Sequence, residues 1–220
     1  MNASPKQAVV FDMDGVLVDS EPVHFESTQL LLARFGLPFT ERDNREFLGS
    51  TDRRMFEVLI ERHRMTTPML DLIAQRKDIY MGLIENGGLP WREGILELIP
   101  DLAQQVPRLG VASSGLRRII EHTLERGGIR HHFGAVVSAD DIPAPKPDPA
   151  IYLEAAHRLG VSPRQCWAVE DTDVGVRAAK NAGMTVIAFP TPTTAQMDLS
   201  VADYRAGTTD DIRRYLWDGS

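Results

Sequence analysis

The chain has 220 residues, a net charge of −7, 43% hydrophobic and 25% charged residues, an ordinary balance for a globular fold. No run approaches the roughly 20 uninterrupted apolar residues of a membrane-spanning helix. The acidic surplus argues against nucleic acid or an anionic membrane as partner, and any anionic ligand would need locally gathered positive charge.

The polar start, Met1 to Gln7, leads straight into a strand, so no signal peptide is expected. Residues 8–12 (A-V-V-F-D) are an apolar run ending in an acid, the pattern of a strand buried on both faces. Residues of about 20–90 differ. They hold amphipathic helical patterns at Phe25–Phe35, Arg53–His63 and Leu70–Leu83 and no convincing strand, so they read as an inserted helical domain. Asn86-Gly87-Gly88 and the Pro90 region supply its return hinge.

Strand-like runs then resume at Leu109–Ser113, Ala135–Ser138, Trp167–Val169 and Thr185–Phe189, with helical spacing near 95–105, 116–127, 149–159 and 174–182. Gly127, Gly160 and Gly183 fall where helices commonly end. The single cysteine, Cys166, cannot form an internal disulfide and reads as a buried filler of a cytoplasmic protein. After Pro190 the chain is loop-like until a short helix near Thr209–Trp217. Strands alternating with helices predict a doubly wound parallel α/β sheet: an α/β core of 1–17 and 91–220 with a helical domain of 18–90.

The chemistry-bearing residues sit where these strands end. In such sheets ligands bind at the carboxyl ends of the strands. Asp12 and Asp14 are two apart as a strand runs out, so both side chains can face one side, and Gly15 permits a tight turn. Two carboxylates so close favour a cation between them. With Glu170 and Asp171 they make an all-oxygen set suited to Mg²⁺, and no Cys or His cluster suggests zinc. Taken alone, Asp12 and Asp14 could equally be turn and cap residues. Lys146, in P-A-P-K-P-D-P, is either a charge-neutralising ammonium or a solvated loop lysine. Ser113-Ser114-Gly115 closes one strand and opens a helix, as a phosphate-holding turn, an N-cap, or both.

Together F-D-M-D-G, V-A-S-S-G, K-P-D-P and V-E-D-T-D-V-G resemble, in order and spacing, the four motifs of the haloacid dehalogenase superfamily, over about residues 8–190. The helical insertion is similar to that of the α-helical-cap branch, with its sugar phosphatases and β-phosphoglucomutases. The resemblance implies a Rossmann-like core, a nucleophile at Asp12 and a general acid/base at Asp14. It implies a phosphate-binding hydroxyl at Ser113 with Ser114 and Gly115 beside it, and a neutralising lysine at Lys146. Mg²⁺ would be held by Asp12, the Asp14 carbonyl and Asp171, with Glu170 next to it. In the cap, His24, Lys77 and the loop Gly49-Ser50-Thr51-Asp52-Arg53 would meet substrate, Gly49 and Arg53 foremost. Two departures stand out: β-phosphoglucomutases carry an arginine where Asp52 aligns, and the proline expected before the helix at Gly94 is replaced by Glu93.

The expected activity is magnesium-dependent hydrolysis of a small phosphate ester, a sugar phosphate first, through an aspartyl-phosphate. A phosphosugar mutase is the alternative. A phospho-accepting signalling module is disfavoured by the helical insertion. A metal-independent dehalogenase is disfavoured by Asp14 and the Glu170-Asp171 pair. A monomer is expected, with association left open.

Overall fold

The computed structural model describes residues 6–47 and 50–218. Two compact units form, Met1–Asp19 with Pro90–Ser220, and Ser20–Leu89. The first unit is built on strands β1 (Ala8–Phe11), β2 (Arg108–Ala112), β3 (Phe133–Val137), β4 (Cys166–Glu170), β5 (Thr185–Ala188) and β6 (Tyr204–Arg205). They pair throughout in parallel, in the order β3-β2-β1-β4-β5-β6. The chain winds outward from β1 in one direction and then from β4 in the other. The switch point therefore lies between the carboxyl ends of β1 and β4, where doubly wound sheets bind ligands.

Every residue of β1 and β4 is buried, so helices cover both faces of the sheet. One face packs Ala8, Val10, Val137, Tyr152 and Val176 into a continuous core. The helices of this unit are α5 (Ile95–Gln105), α6 (Arg117–Arg126), α7 (Ala150–Leu159), α8 (Asp173–Asn181) and α9 (Thr209–Asp218). Gly127, expected as a helix-terminating glycine, has φ −75° rather than a left-handed backbone. Its reason is space: a Cβ there would lie 2.3 Å from the Trp91 ring.

The second unit holds α1 (Glu21–Ala33), α2 (Glu41–Phe47), α3 (Asp52–His63) and α4 (Met69–Gly87) around Leu31, Leu32, Phe47, Phe56, Leu59 and Leu72. The Thr51 hydroxyl caps α3, accepting from Arg54 N–H at 3.2 Å. Three differences from the sequence reading have physical causes. Helix α4 continues through Asn86 and Gly87, so the return begins only at Gly88. Helix α2 buries only Phe47 and has no apolar stripe, so its sequence carries no helical period. Strand β6, two residues long, is too short to show a period.

Val18 and Asp19 stay with the first unit through backbone pairing. Val18 bridges to Trp91, and Asp19 N–H donates to the Pro90 carbonyl at 2.8 Å.

Candidate active site

Asp12 follows β1 directly, its N–H still donating to the Val169 carbonyl of β4 at 2.9 Å, so its side chain emerges at the switch point. The Met13 carbonyl accepts from Leu17 N–H at 2.8 Å, which curls the chain into a turn with Met13 buried. Gly15 has φ +80°, and a Cβ there would fall 2.1 Å from an Asp171 carboxylate oxygen. Glycine is needed on both counts. Asp14, in the same turn, lies close enough to raise the proton affinity of both Asp12 and Asp171.

Lys146 is no solvated loop lysine. Its side chain is 7% exposed, and Nζ donates to Asp12 Oδ1 at 2.5 Å, Glu170 Oε1 at 2.5 Å and the Ala112 carbonyl at 3.3 Å. Three acceptors use the three protons of an ammonium. Glu170, fully buried, is equally saturated. Oε1 also accepts from Tyr152 Oη at 2.7 Å, while Oε2 accepts from Asp171 N–H at 3.1 Å and Thr172 Oγ1 at 3.4 Å. Gly175 in α8 leaves the room for it, since a Cβ there would sit 2.1 Å from the Glu170 carboxylate.

Ser113, fully buried, donates its N–H to the Val137 carbonyl at 3.0 Å, and its Oγ accepts from Gly115 N–H at 3.0 Å. It is not the N-cap of α6, which begins at Arg117 with Leu116 as its cap residue. The hydroxyl instead folds the Ser113–Gly115 loop at the end of β2, with Ser114 exposed.

Acids outnumber the one ammonium at this crevice. Burial pushes the Asp12 carboxyl well above the usual carboxylate range, Lys146 opposes this, and Glu170, Asp171 and Asp14 reinforce it. Asp171 is pushed up to about 7, by burial first and then by Glu170. Burial alone would lower the Lys146 pKa, but Asp12 and Glu170 raise it above that of an ordinary lysine, so it stays charged. Asp12, Glu170 and Asp171 offer oxygens all within 4.8 Å of one another. Ionised, these three carboxylates against one ammonium leave two negative charges, and Asp14 nearby adds a third, so a cation is favoured here. A hard, all-oxygen donor set of this kind fits Mg²⁺.

The haloacid dehalogenase-like hydrolase pattern matches residues 9–189. The chain belongs to that family. It is 31% identical over 182 residues to a phosphorylated carbohydrates phosphatase of Thermotoga maritima, covering 81% of this chain and 82% of the relative. It is 32% identical over 190 residues to a β-phosphoglucomutase of Bacillus subtilis, covering 82% of each. Among solved structures, CbbY of Rhodobacter sphaeroides in complex with phosphate superposes with a TM-score of 0.76 at 27% identity, over 94% of this chain and 96% of that one.

In this hydrolase the residues assigned to the helical unit fall out unevenly. Gly49 lies outside the described residues. His24 stacks flat on Tyr80, ring centroids 4.3 Å apart, with Nδ1 2.9 Å from Arg76 Nη2. Arginine only donates, so Nδ1 is the acceptor and the ring is neutral. Burial and then Arg76 lower its pKa to about 4. Lys77 is exposed, as is Arg53. The cation built into this unit is their neighbour Arg76, buried, donating to Thr28 Oγ1 at 2.9 Å and Asp52 Oδ1 at 2.7 Å. With Asn44, Ser50 and Thr51 these residues line a cavity of about 220 Å³, which neither Lys77 nor Arg53 lines.

Two polar residues of these networks escaped the sequence reading. Tyr152 is an ordinary-looking residue of an apolar helix, and nothing local marks its hydroxyl as a Glu170 donor. Arg76 could have been found from helix phase, because it lies one turn after the buried Leu72.

Proposed function

We propose that this chain is a magnesium-dependent phosphomonoesterase for a small phosphorylated metabolite, a sugar phosphate foremost, working through an aspartyl-phosphate on Asp12. One observation carries the reading: Asp12, at the switch point, shares an all-oxygen cluster with Asp171 while bonded to a buried ammonium. The names of the relatives, a carbohydrate-phosphate phosphatase among them, support the substrate class.

Asp12 attacks phosphorus in line, forming a P–O bond to its carboxylate as the bond to the leaving oxygen breaks. Asp14 delivers the proton that the departing alkoxide needs, then takes one from the water that hydrolyses the aspartyl-phosphate. Lys146 holds Asp12 in place and offsets charge on the transferring group. The Ser113 hydroxyl, which accepts from Gly115 N–H and keeps its own proton to donate, holds a phosphoryl oxygen. Mg²⁺, held by Asp12, the Asp14 carbonyl and Asp171, would supply further charge neutralisation and orient the phosphoryl group. Glu170, whose carboxylate already accepts four hydrogen bonds, serves mainly as the seat of Lys146. Substrate selection is assigned to the helical unit, and catalysis to the α/β unit. Among the described residues no helix is long and apolar enough to cross a membrane.

The mutase relative keeps a second reading in view, but the charge of the helical unit favours hydrolysis. A mutase must hold a second phosphate, best on an unspent arginine. Here the buried arginine, Arg76, is already neutralised by Asp52. Phosphate release from a panel of sugar phosphates, with and without EDTA, tests the reading. Activity should vanish with chelator and in Asp12→Asn. Full turnover under either condition would overturn it, and ³¹P NMR showing glucose 6-phosphate formed from β-glucose 1-phosphate without free phosphate would select the mutase.

A further inference from the structure

Arg92 lies outside every motif assigned above, just after the chain re-enters the α/β unit at Pro90. Its backbone is tied down, N–H donating to the Leu17 carbonyl at 3.0 Å. The guanidinium turns inward. Nη1 donates to the Gly15 carbonyl at 2.5 Å and the Phe189 carbonyl at 2.9 Å, and Nη2 to the Pro190 carbonyl at 3.3 Å. The plane covers the Phe189 ring, 3.6 Å from its centroid. One side chain therefore staples the turn after Asp14 to the exit of β5.

The Gly15 end of this staple is the sensitive one. Gly15 is the residue whose missing Cβ admits the Asp171 carboxylate. Asp171 also acts on Arg92 electrostatically, opposing the effect of its burial. A shift of Gly15 of even a few tenths of an ångström changes how Asp171 stands against Asp12. A planar fork reaches the three carbonyls from two separate nitrogens, whereas a lysine ammonium would have to serve all three from one point.

We propose that Arg92 is a positioning residue: by holding the Gly15, Phe189 and Pro190 carbonyls it fixes the turn against Asp171, and with it the spacing of Asp12 and Asp171 that takes a divalent cation. The inference rests on the metal-dependent reading given above. Partners one shell out from metal ligands typically change metal affinity 10–100-fold when removed.

The test is Mg²⁺ binding to the whole chain by titration calorimetry, without substrate, for the wild type, Arg92→Gln, Arg92→Lys and Arg213→Gln. Arg213 lines the same 660 Å³ cavity as Arg92 but pairs with Asp101 and Asp210, so it serves as a control. Arg92→Gln should weaken Mg²⁺ roughly 10–100-fold, Arg92→Lys should recover part of the loss, and Arg213→Gln should match the wild type. KM should change little where kcat at fixed Mg²⁺ falls. Folded Arg92 variants that bind Mg²⁺ within about twofold of the wild type would overturn the proposal. If Arg92→Gln fails to fold, Arg92→Lys decides by the same criterion. A wild type that binds no Mg²⁺ overturns the metal-dependent reading itself, a result distinct from an Arg92 failure.

Discussion

Gly175→Ala sets two effects of known size against each other. The position is helical, with no left-handed backbone, and alanine in a helix interior is worth up to about 1 kcal/mol over glycine. Against that, the new Cβ would stand 2.1 Å from the Glu170 Cδ and Oε1 and 2.2 Å from Oε2. Ordinary contact is about 3.4 Å or more, so the carboxylate must retreat by roughly 1 Å in a site with no solvent to retreat into. Bonds that now run 2.5 Å to Lys146 and 2.7 Å to Tyr152 would stretch out of range. Overpacking alone costs about 1–3 kcal/mol, and a lost hydrogen bond to a charged group about 1.5–3 kcal/mol. The clash wins. The variant should be destabilised by about 2–4 kcal/mol, and kcat should fall about 100-fold because Lys146 no longer holds Asp12 in register. Gly82→Ala is the control, since it lies inside α4 with nothing near a new Cβ and should be neutral or stabilising. Urea denaturation and p-nitrophenyl phosphate turnover measure both. A Gly175→Ala enzyme with wild-type kcat and unchanged or raised stability would refute the reasoning.

Tyr152→Phe removes one donor to Glu170 and leaves Lys146 on the same oxygen, so it should cost about 2 kcal/mol of stability and less than tenfold in kcat; equal urea midpoints for the two proteins would contradict this. His24 yields a pH prediction. Its folded pKa, about 4, lies below its ordinary 6.5, so its contribution is complete above 6.5 and is lost as pH falls toward 4. The shift corresponds to at most about 3 kcal/mol, and His24→Gln should lose stability less steeply between pH 7 and 4.5 than the wild type; parallel curves would show that His24 carries none of it.

How much of this was legible beforehand depended on whether a signal was local. Asp12, Ser113, Glu170 and Asp171 each follow a buried apolar run, and strand order then carries them to one crevice, so short motifs sufficed. Lys146 was recognisable as a candidate, but its burial was not, because that depends on Asp12, 134 residues away, and on Glu170. In the helical unit the adjacent cations Arg76 and Lys77 differ only in helix phase, which buries Arg76 and exposes Lys77, and no local motif separates them. Arg92 carries no signature at all, since its partners are backbone carbonyls, which any sequence supplies.

The same contrast between local and average charge answers how an acidic chain could handle an anion. A net charge of −7 repels a phosphate ester at long range, yet salt screens that field within about 8 Å at physiological ionic strength. What remains is the crevice. There Lys146 is spent on Asp12 and Glu170, and burial, then Glu170, push the Asp171 carboxyl up to about 7, toward the neutral form. Left alone, such a cluster lowers its energy by taking up protons, and a protonated Asp12 is no nucleophile. A divalent cation offers the other route to neutrality, one that keeps Asp12 ionised and turns the locally negative site into one that can hold phosphate. In the metal-dependent function proposed above, the burial of the acids would be what makes a cation necessary. In a solvated cleft the same carboxylates would stay ionised without it, and a cation would add far less.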